Sequence, residues 1–95
     1  MAIALLMDMP AVTCEQYETA RRILGEAPQP GNLVHIAGPT DGGWRVIEVW
    51  ESPEAVGAFF GSEAARQAFE TAKIPPVQPT IFPIHTLAAV ASTIP

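Results

Sequence analysis

The chain has 95 residues, 48% hydrophobic and 16% charged, and a net charge of −5 from five Lys and Arg against ten Asp and Glu. So short a chain makes a single domain, residues 1–95, and it is too apolar and too sparsely charged to be disordered. Its cations, Arg21, Arg22, Arg45, Arg66 and Lys73, are scattered and cannot neutralise a run of phosphates, which excludes nucleic-acid binding.

The opening MAIALLMDMP lacks the positive start of a signal peptide, and residues 2–7 are read as a first strand that Pro10 ends. Thr13 with Gln16 three residues on forms a capping box, with Val12 and Tyr17 at the staple positions. A first helix then runs from Cys14 to about Leu24, stopped by Gly25. Cys14 is the only cysteine, so no internal disulfide forms, and a reducing cytoplasmic setting is expected. It has no neighbouring base and is read as structural.

After the loop 27–32, LVHIAG (33–38) and WRVIEVWE (44–51) are the strands of a hairpin. Asp41-Gly42 lies between them and suits a type I′ turn. Ser52, Pro53 and Glu54 are an N-cap, a first-turn proline and a first-turn acid, so a second helix begins at Pro53 and buries Val56, Phe59 and Phe60. Gly61-Ser62 breaks or kinks it, and Ser62 caps a continuation carrying Ala65, Phe69 and Ala72. TIFPIHTL (80–87) is a fourth strand, which Pro83 marks as edge or bulged, and 88–95 is apolar without pattern. Residues 74–95 are uncharged after Lys73, but four prolines forbid a membrane-spanning helix. The order β-α-β-β-α-β predicts an α+β ferredoxin-like sandwich with helices on one face of an antiparallel sheet. The apolar excess predicts a homodimer that covers the other face.

A two-residue turn at Asp41-Gly42 pairs Leu33 with Trp50, His35 with Glu48 and Ala37 with Val46. Alternation then puts Val34, Ile36, Ile47 and Val49 on one face, expected to pack on the helices. The opposite face carries His35, Glu48, Trp44, Val46 and Trp50, joined by Ile81, Pro83 and His85 of the last strand. An apolar surface with a few convergent polar groups is the pattern of a small-molecule site. His35 is read as a base or donor and Glu48 as its orienter. His85 and Tyr17 are further substrate contacts, and Trp44 and Trp50 an apolar wall. The competing interpretation makes His35–Glu48 a cross-strand pair, Trp44 and Trp50 dimer-core aromatics, and Tyr17 a staple. The histidines and Glu48 lack the close spacing of a metal site, and no phosphate loop, nucleotide fingerprint or GxSxG elbow is present.

The stretch GGWRVIEVWESPEAVGAFF (42–60), with LVHIAGPTD before it and VQPTIFPIHTL after it, resembles the antibiotic biosynthesis monooxygenase-like superfamily of small bacterial proteins. The resemblance spans nearly the whole chain. It implies a dimeric α+β barrel in which two ferredoxin-like subunits face their sheets together and ligands enter between sheet and helices. The superfamily contains cofactor-independent monooxygenases, haem-degrading enzymes and lactone isomerases. The Asn-Trp-His arrangement of the haem-degrading members has no counterpart here, since neither histidine falls on a predicted helix. The monooxygenases share no single transferable motif, so no catalytic residue is carried over. The expected function is to bind a hydrophobic organic metabolite and oxygenate, isomerise or cyclise it with no cofactor and no metal. The alternative is a non-catalytic ligand-binding or accessory dimer.

Overall fold

The computed structural model describes residues 1–89. The elements are β1 (Ile3–Pro10), α1 (Cys14–Leu24), β2 (Asn32–Thr40), β3 (Gly43–Trp50), α2 (Pro53–Phe60), α3 (Glu63–Ala72) and β4 (Thr80–Pro83). The strands lie in the order β2-β3-β1-β4, every neighbour antiparallel, which is the expected ferredoxin-like arrangement. Of the apolar tail predicted for 88–95, residues 90–95 lie outside the described residues.

Local chemistry sets the helix ends. The Thr13 hydroxyl accepts from the Gln16 amide while the Gln16 side chain accepts from the Thr13 amide, closing the capping box. The same Gln16 side chain donates to the carbonyls of Ala72 (3.3 Å) and Lys73 (3.0 Å), tying the start of α1 to the end of α3. Ser52 caps α2 through the Ala55 amide. Ser62 ends one helix and starts the next: its hydroxyl donates to the Phe59 carbonyl at 2.6 Å and accepts from the Ala65 amide. Small residues let α1 and α3 pack closely, with Ala20 against Ala68 and Ala72.

His35 pairs with Glu48, and Ala37 with Val46, in the anticipated register. The turn itself differs: Gly42 has φ +81°, whereas Asp41 does not have positive φ, so the type I′ geometry is not formed. At the far end of the hairpin Asn32, not Leu33, faces Trp50, because Leu33 is an extra residue bulged out of the ladder. The Asn32 side-chain amide donates to the Val34 and Val49 carbonyls and stitches the bulge.

Two strands end elsewhere than predicted. β1 continues to Pro10 because β3 supplies partners as far as Gly43, and exposed Asp8 is held by Arg45 at 2.6 Å. β4 stops at Pro83 instead of reaching Leu87. Pro83 pairs with Ile3, the first residue of β1, and Ile84 donates to the Ala2 carbonyl, so the ladder ends where β1 itself starts. His85 is therefore not a strand residue, and it is exposed.

The largest correction concerns the two faces of the sheet. The helices cover the face bearing Trp44, Val46, Glu48 and Trp50, not the aliphatic one. Trp50 is fully buried with Ile3 and Leu5 beneath Val56, Phe59 and Phe60, its ring centroid 5.5 Å from that of Phe59. The physical reason is size. α2 begins three residues after Trp50, and aromatic side chains bury ~150–250 Å² each, far more than a valine row offers. The other face presents rows of Val34, Val49, Ala4 and Phe82 and of Ile36, Ile47, Leu6 and Thr80. Ile36 is 55% exposed and Phe82 54%.

Candidate functional site

Under the helices a continuous chain of hydrogen bonds crosses from α1 into the sheet. Tyr17 projects from the first turns of α1 onto β2, and its hydroxyl lies 2.5 Å from His35 Nε2. His35 Nδ1 lies 2.7 Å from Glu48 Oε2 on the neighbouring strand. Trp50, two residues further along β3 and so on the same face, donates from Nε1 to Glu48 Oε1 at 3.2 Å. Glu48 is 6% exposed, and a buried carboxylate needs donors on both oxygens. His35 and Trp50 supply them. A carboxylate can only accept, so the neutral imidazole that fits this network carries its proton on Nδ1. Nε2 then accepts from the Tyr17 hydroxyl.

Packing fixes the geometry. Tyr17 stacks with His35 at a centroid distance of 6.0 Å and an interplanar angle of 17°, and leans on Trp44 at 5.2 Å. Burial raises the Tyr17 pKa above that of a free phenol, opposed by the Arg21 guanidinium one turn along α1. The phenol is thus held as a neutral donor to His35.

The chain ends in an open cavity of about 690 Å³ between the sheet and the helices. Met7, Met9 and Val46 form its floor, with Leu24, Phe59 and Phe69 among its apolar walls. Tyr17, His35 and Glu48 are its inner polar groups, while Arg21, Arg66 and Glu70 also line it. Large, mostly apolar concavities with a few convergent polar groups are how proteins hold small organic molecules.

The predicted site residues divide accordingly. His35, Glu48 and Tyr17 come together on the cavity. Trp50 and Trp44 do not wall it: both are buried in the core, Trp50 as the donor to Glu48 and Trp44 as the packing surface for Tyr17. The Trp44 indole N–H has no partner among the described residues. His85 does not line the cavity, because β4 has already ended. Among the described residues no group of three or more His, Cys, Asp and Glu could hold a metal, and Cys14 is exposed. The role of Trp50 was hidden by its size, although its position two residues beyond Glu48 puts both side chains on one face. Arg21 was missed as a cavity residue. Its i, i+4 spacing from Tyr17 was the available signal.

No protein-family model and no curated protein sequence matches the chain. Solved structures do resemble it. A candidate antibiotic biosynthesis monooxygenase from Chloroflexus aurantiacus superposes with TM-score 0.65 at 23% identity, covering 93% of this chain and 98% of that one. A mutant of SnoaB, a cofactor-independent oxygenase from Streptomyces nogalater, gives 0.64 at 13% identity over 90% and 95% of the two chains. Rv0793 from Mycobacterium tuberculosis gives 0.66 at 16% identity over 94% and 100%. The chain shares the fold of the antibiotic biosynthesis monooxygenase-like proteins.

Proposed function

We propose that the chain is a cytoplasmic homodimer of single domains that binds a hydrophobic organic molecule between sheet and helices and transforms it without a cofactor. The reaction class is monooxygenase-like, on an acidic phenol or an activated C–H. The observation that carries this is the hydrogen-bond chain Trp50–Glu48–His35–Tyr17 ending in an apolar cavity. Tyr17 is the catalytic residue that meets the substrate. Its oxygen takes the substrate proton as its own passes to His35 Nε2, and the imidazolium so formed is stabilised by Glu48. The substrate is left as an anion. For an activated methylene, O₂ then oxidises CH₂ to C=O: one oxygen atom enters the carbonyl, the other leaves as water with the two hydrogens, and no further reductant is needed. The printed description of SnoaB as a cofactor-independent oxygenase supports this class of reaction.

The dimer rests on the uncovered sheet face. Ile36, Ile47 and Phe82 are exposed beside Val34 and Leu6, and stable interfaces bury ~1,200 Å² or more in total. Two copies laid sheet to sheet make a closed α+β barrel.

The test is oxygen uptake with a panel of quinols, acidic phenols and β-keto compounds. Tyr17→Phe and His35→Gln should each lower turnover ~10²–10⁴-fold with the far-ultraviolet dichroism unchanged. Folded variants that keep full activity would refute the relay. Tight binding without turnover by the unaltered protein would favour a ligand-binding dimer instead.

A further inference from the structure

The cavity has two cations on its lining, and they are not equivalent. Arg66 is held by Glu63 and, at 2.9 Å, by Glu70. Arg21 makes no ion pair among the described residues, although the chain has twice as many acids as bases. It stands one helical turn after Tyr17 and lines the same cavity. Its charge acts on the Tyr17 hydroxyl, whose pKa it draws down against the effect of burial. The other acids near this position do not compete. Glu48 is occupied by His35 and Trp50 and Glu70 by Arg66, while Glu18, three residues before Arg21 on α1, and Glu26, on the lining, are not within ion-pairing distance of Arg21. A guanidinium with no carboxylate partner among the described residues, close enough to the Tyr17 phenol to hydrogen-bond it, is at the edge of a greasy pocket a fork for an anionic oxygen.

We infer that Arg21 selects the substrate: the cavity takes a hydrophobic molecule that carries one acidic oxygen, a carboxylate or an acidic phenol or enol, and Arg21 holds that oxygen beside Tyr17. This rests on the cavity being the binding site. It adds the charge class of the ligand and a specificity residue outside the Tyr17–His35–Glu48 chain. It also fits the proposed chemistry, because proton removal leaves an anion that the same guanidinium can pair.

A helical role must be separated from this one. Arg21 and Arg22 both occupy the last turn of α1, where cations favour the helix dipole. Arg22 does not line the cavity and contacts Thr19. The experiment measures calorimetric binding of 2-naphthoate and its neutral isostere 2-naphthamide to the full chain. The unaltered protein should bind the acid ~5-fold tighter, a modest ratio because Arg21 is exposed and screened. Arg21→Gln should abolish the preference, Arg21→Lys should keep part of it because the charge remains without the fork, and Arg22→Gln should largely retain it. Equal binding of the two compounds, a preference that survives Arg21→Gln, or equal losses in Arg21→Gln and Arg22→Gln would each overturn the inference. Binding of the amide with no acid preference would sink only the role of Arg21. Binding of neither compound would sink the cavity as a site, and the inference with it.

Discussion

Replacing Trp50 by Phe and Glu48 by Leu, singly and together, tests whether the indole anchors the carboxylate or merely fills space. In Trp50→Phe, Glu48 Oε1 loses its donor in a site with almost no water access. In Glu48→Leu, the indole N–H of a fully buried side chain is orphaned. Hydrogen bonds to charged groups contribute ~1.5–3 kcal/mol, and an orphaned buried partner costs a similar amount. In the double variant neither orphan exists. The packing loss from the smaller ring and the lost contact to His35 Nδ1 occur in both backgrounds and cancel. The two single losses should therefore exceed the double loss by ~2 kcal/mol. Urea denaturation, with a slope of ~1 kcal/mol per molar for so small a chain, would show this as ~2 M missing from the summed midpoint shifts. Protomer concentration must be held fixed, since association contributes to apparent stability. Additivity within ~0.5 kcal/mol would show that Trp50 acts on Glu48 by bulk alone.

Ile47→Asp places a charge on the open sheet face, where it stays solvated in a single chain, so sedimentation should show folded monomer in place of dimer. Tyr17 is the only tyrosine, so the tyrosinate absorbance reports it alone, and its midpoint should lie above the ~10 of a free phenol. A raised folded pKa means that this group's contribution to stability is complete below the unfolded value and is lost as pH rises through the folded one; Arg21→Gln should move the midpoint further up. Lys73 closes α3 at φ +60°, so Lys73→Gly should raise stability by ~0.5–1 kcal/mol in urea titration, the left-handed penalty less the entropy of glycine.

The features that were legible in the sequence are those that few neighbouring residues decide. Thr13 with Gln16, Ser52 with Pro53, and Ser62 are local hydrogen-bonding units, and each caps the helix anticipated for it. Asp41-Gly42 fixed the hairpin register, and with it the meeting of His35 and Glu48, even though the turn took another geometry. Alternation separated the two faces of the sheet but carries no sign. Which face takes the helices depends on Phe59, Phe60, Val56 and Ile74 closing over Trp50 and Trp44, contacts made across the fold. The end of β4 was equally invisible, because it depends on where β1 begins. Tyr17 was named both a staple and a substrate contact. Its bond to His35 needed the distance between α1 and β2, which spacing along the chain does not contain.

The strand order also bears on how the chain is made. β1 occupies an interior position, hydrogen-bonded on one edge to β3 and on the other to β4. Its pairing with β3 joins Ile3 to Trp50, and its pairing with β4 joins the same residue to Pro83. A growing polypeptide emerges from the ribosome at ~5–20 residues per second, so IALLM is synthesised before β3 and β4 and has neither neighbour for several seconds. Such far-apart pairings carry a large loop-closure entropy and slow folding. The most apolar stretch of the sheet is thus the one that waits longest with both edges bare. The nascent chain is accordingly most exposed to self-association, or to capture by a chaperone, before residue 50 has been added.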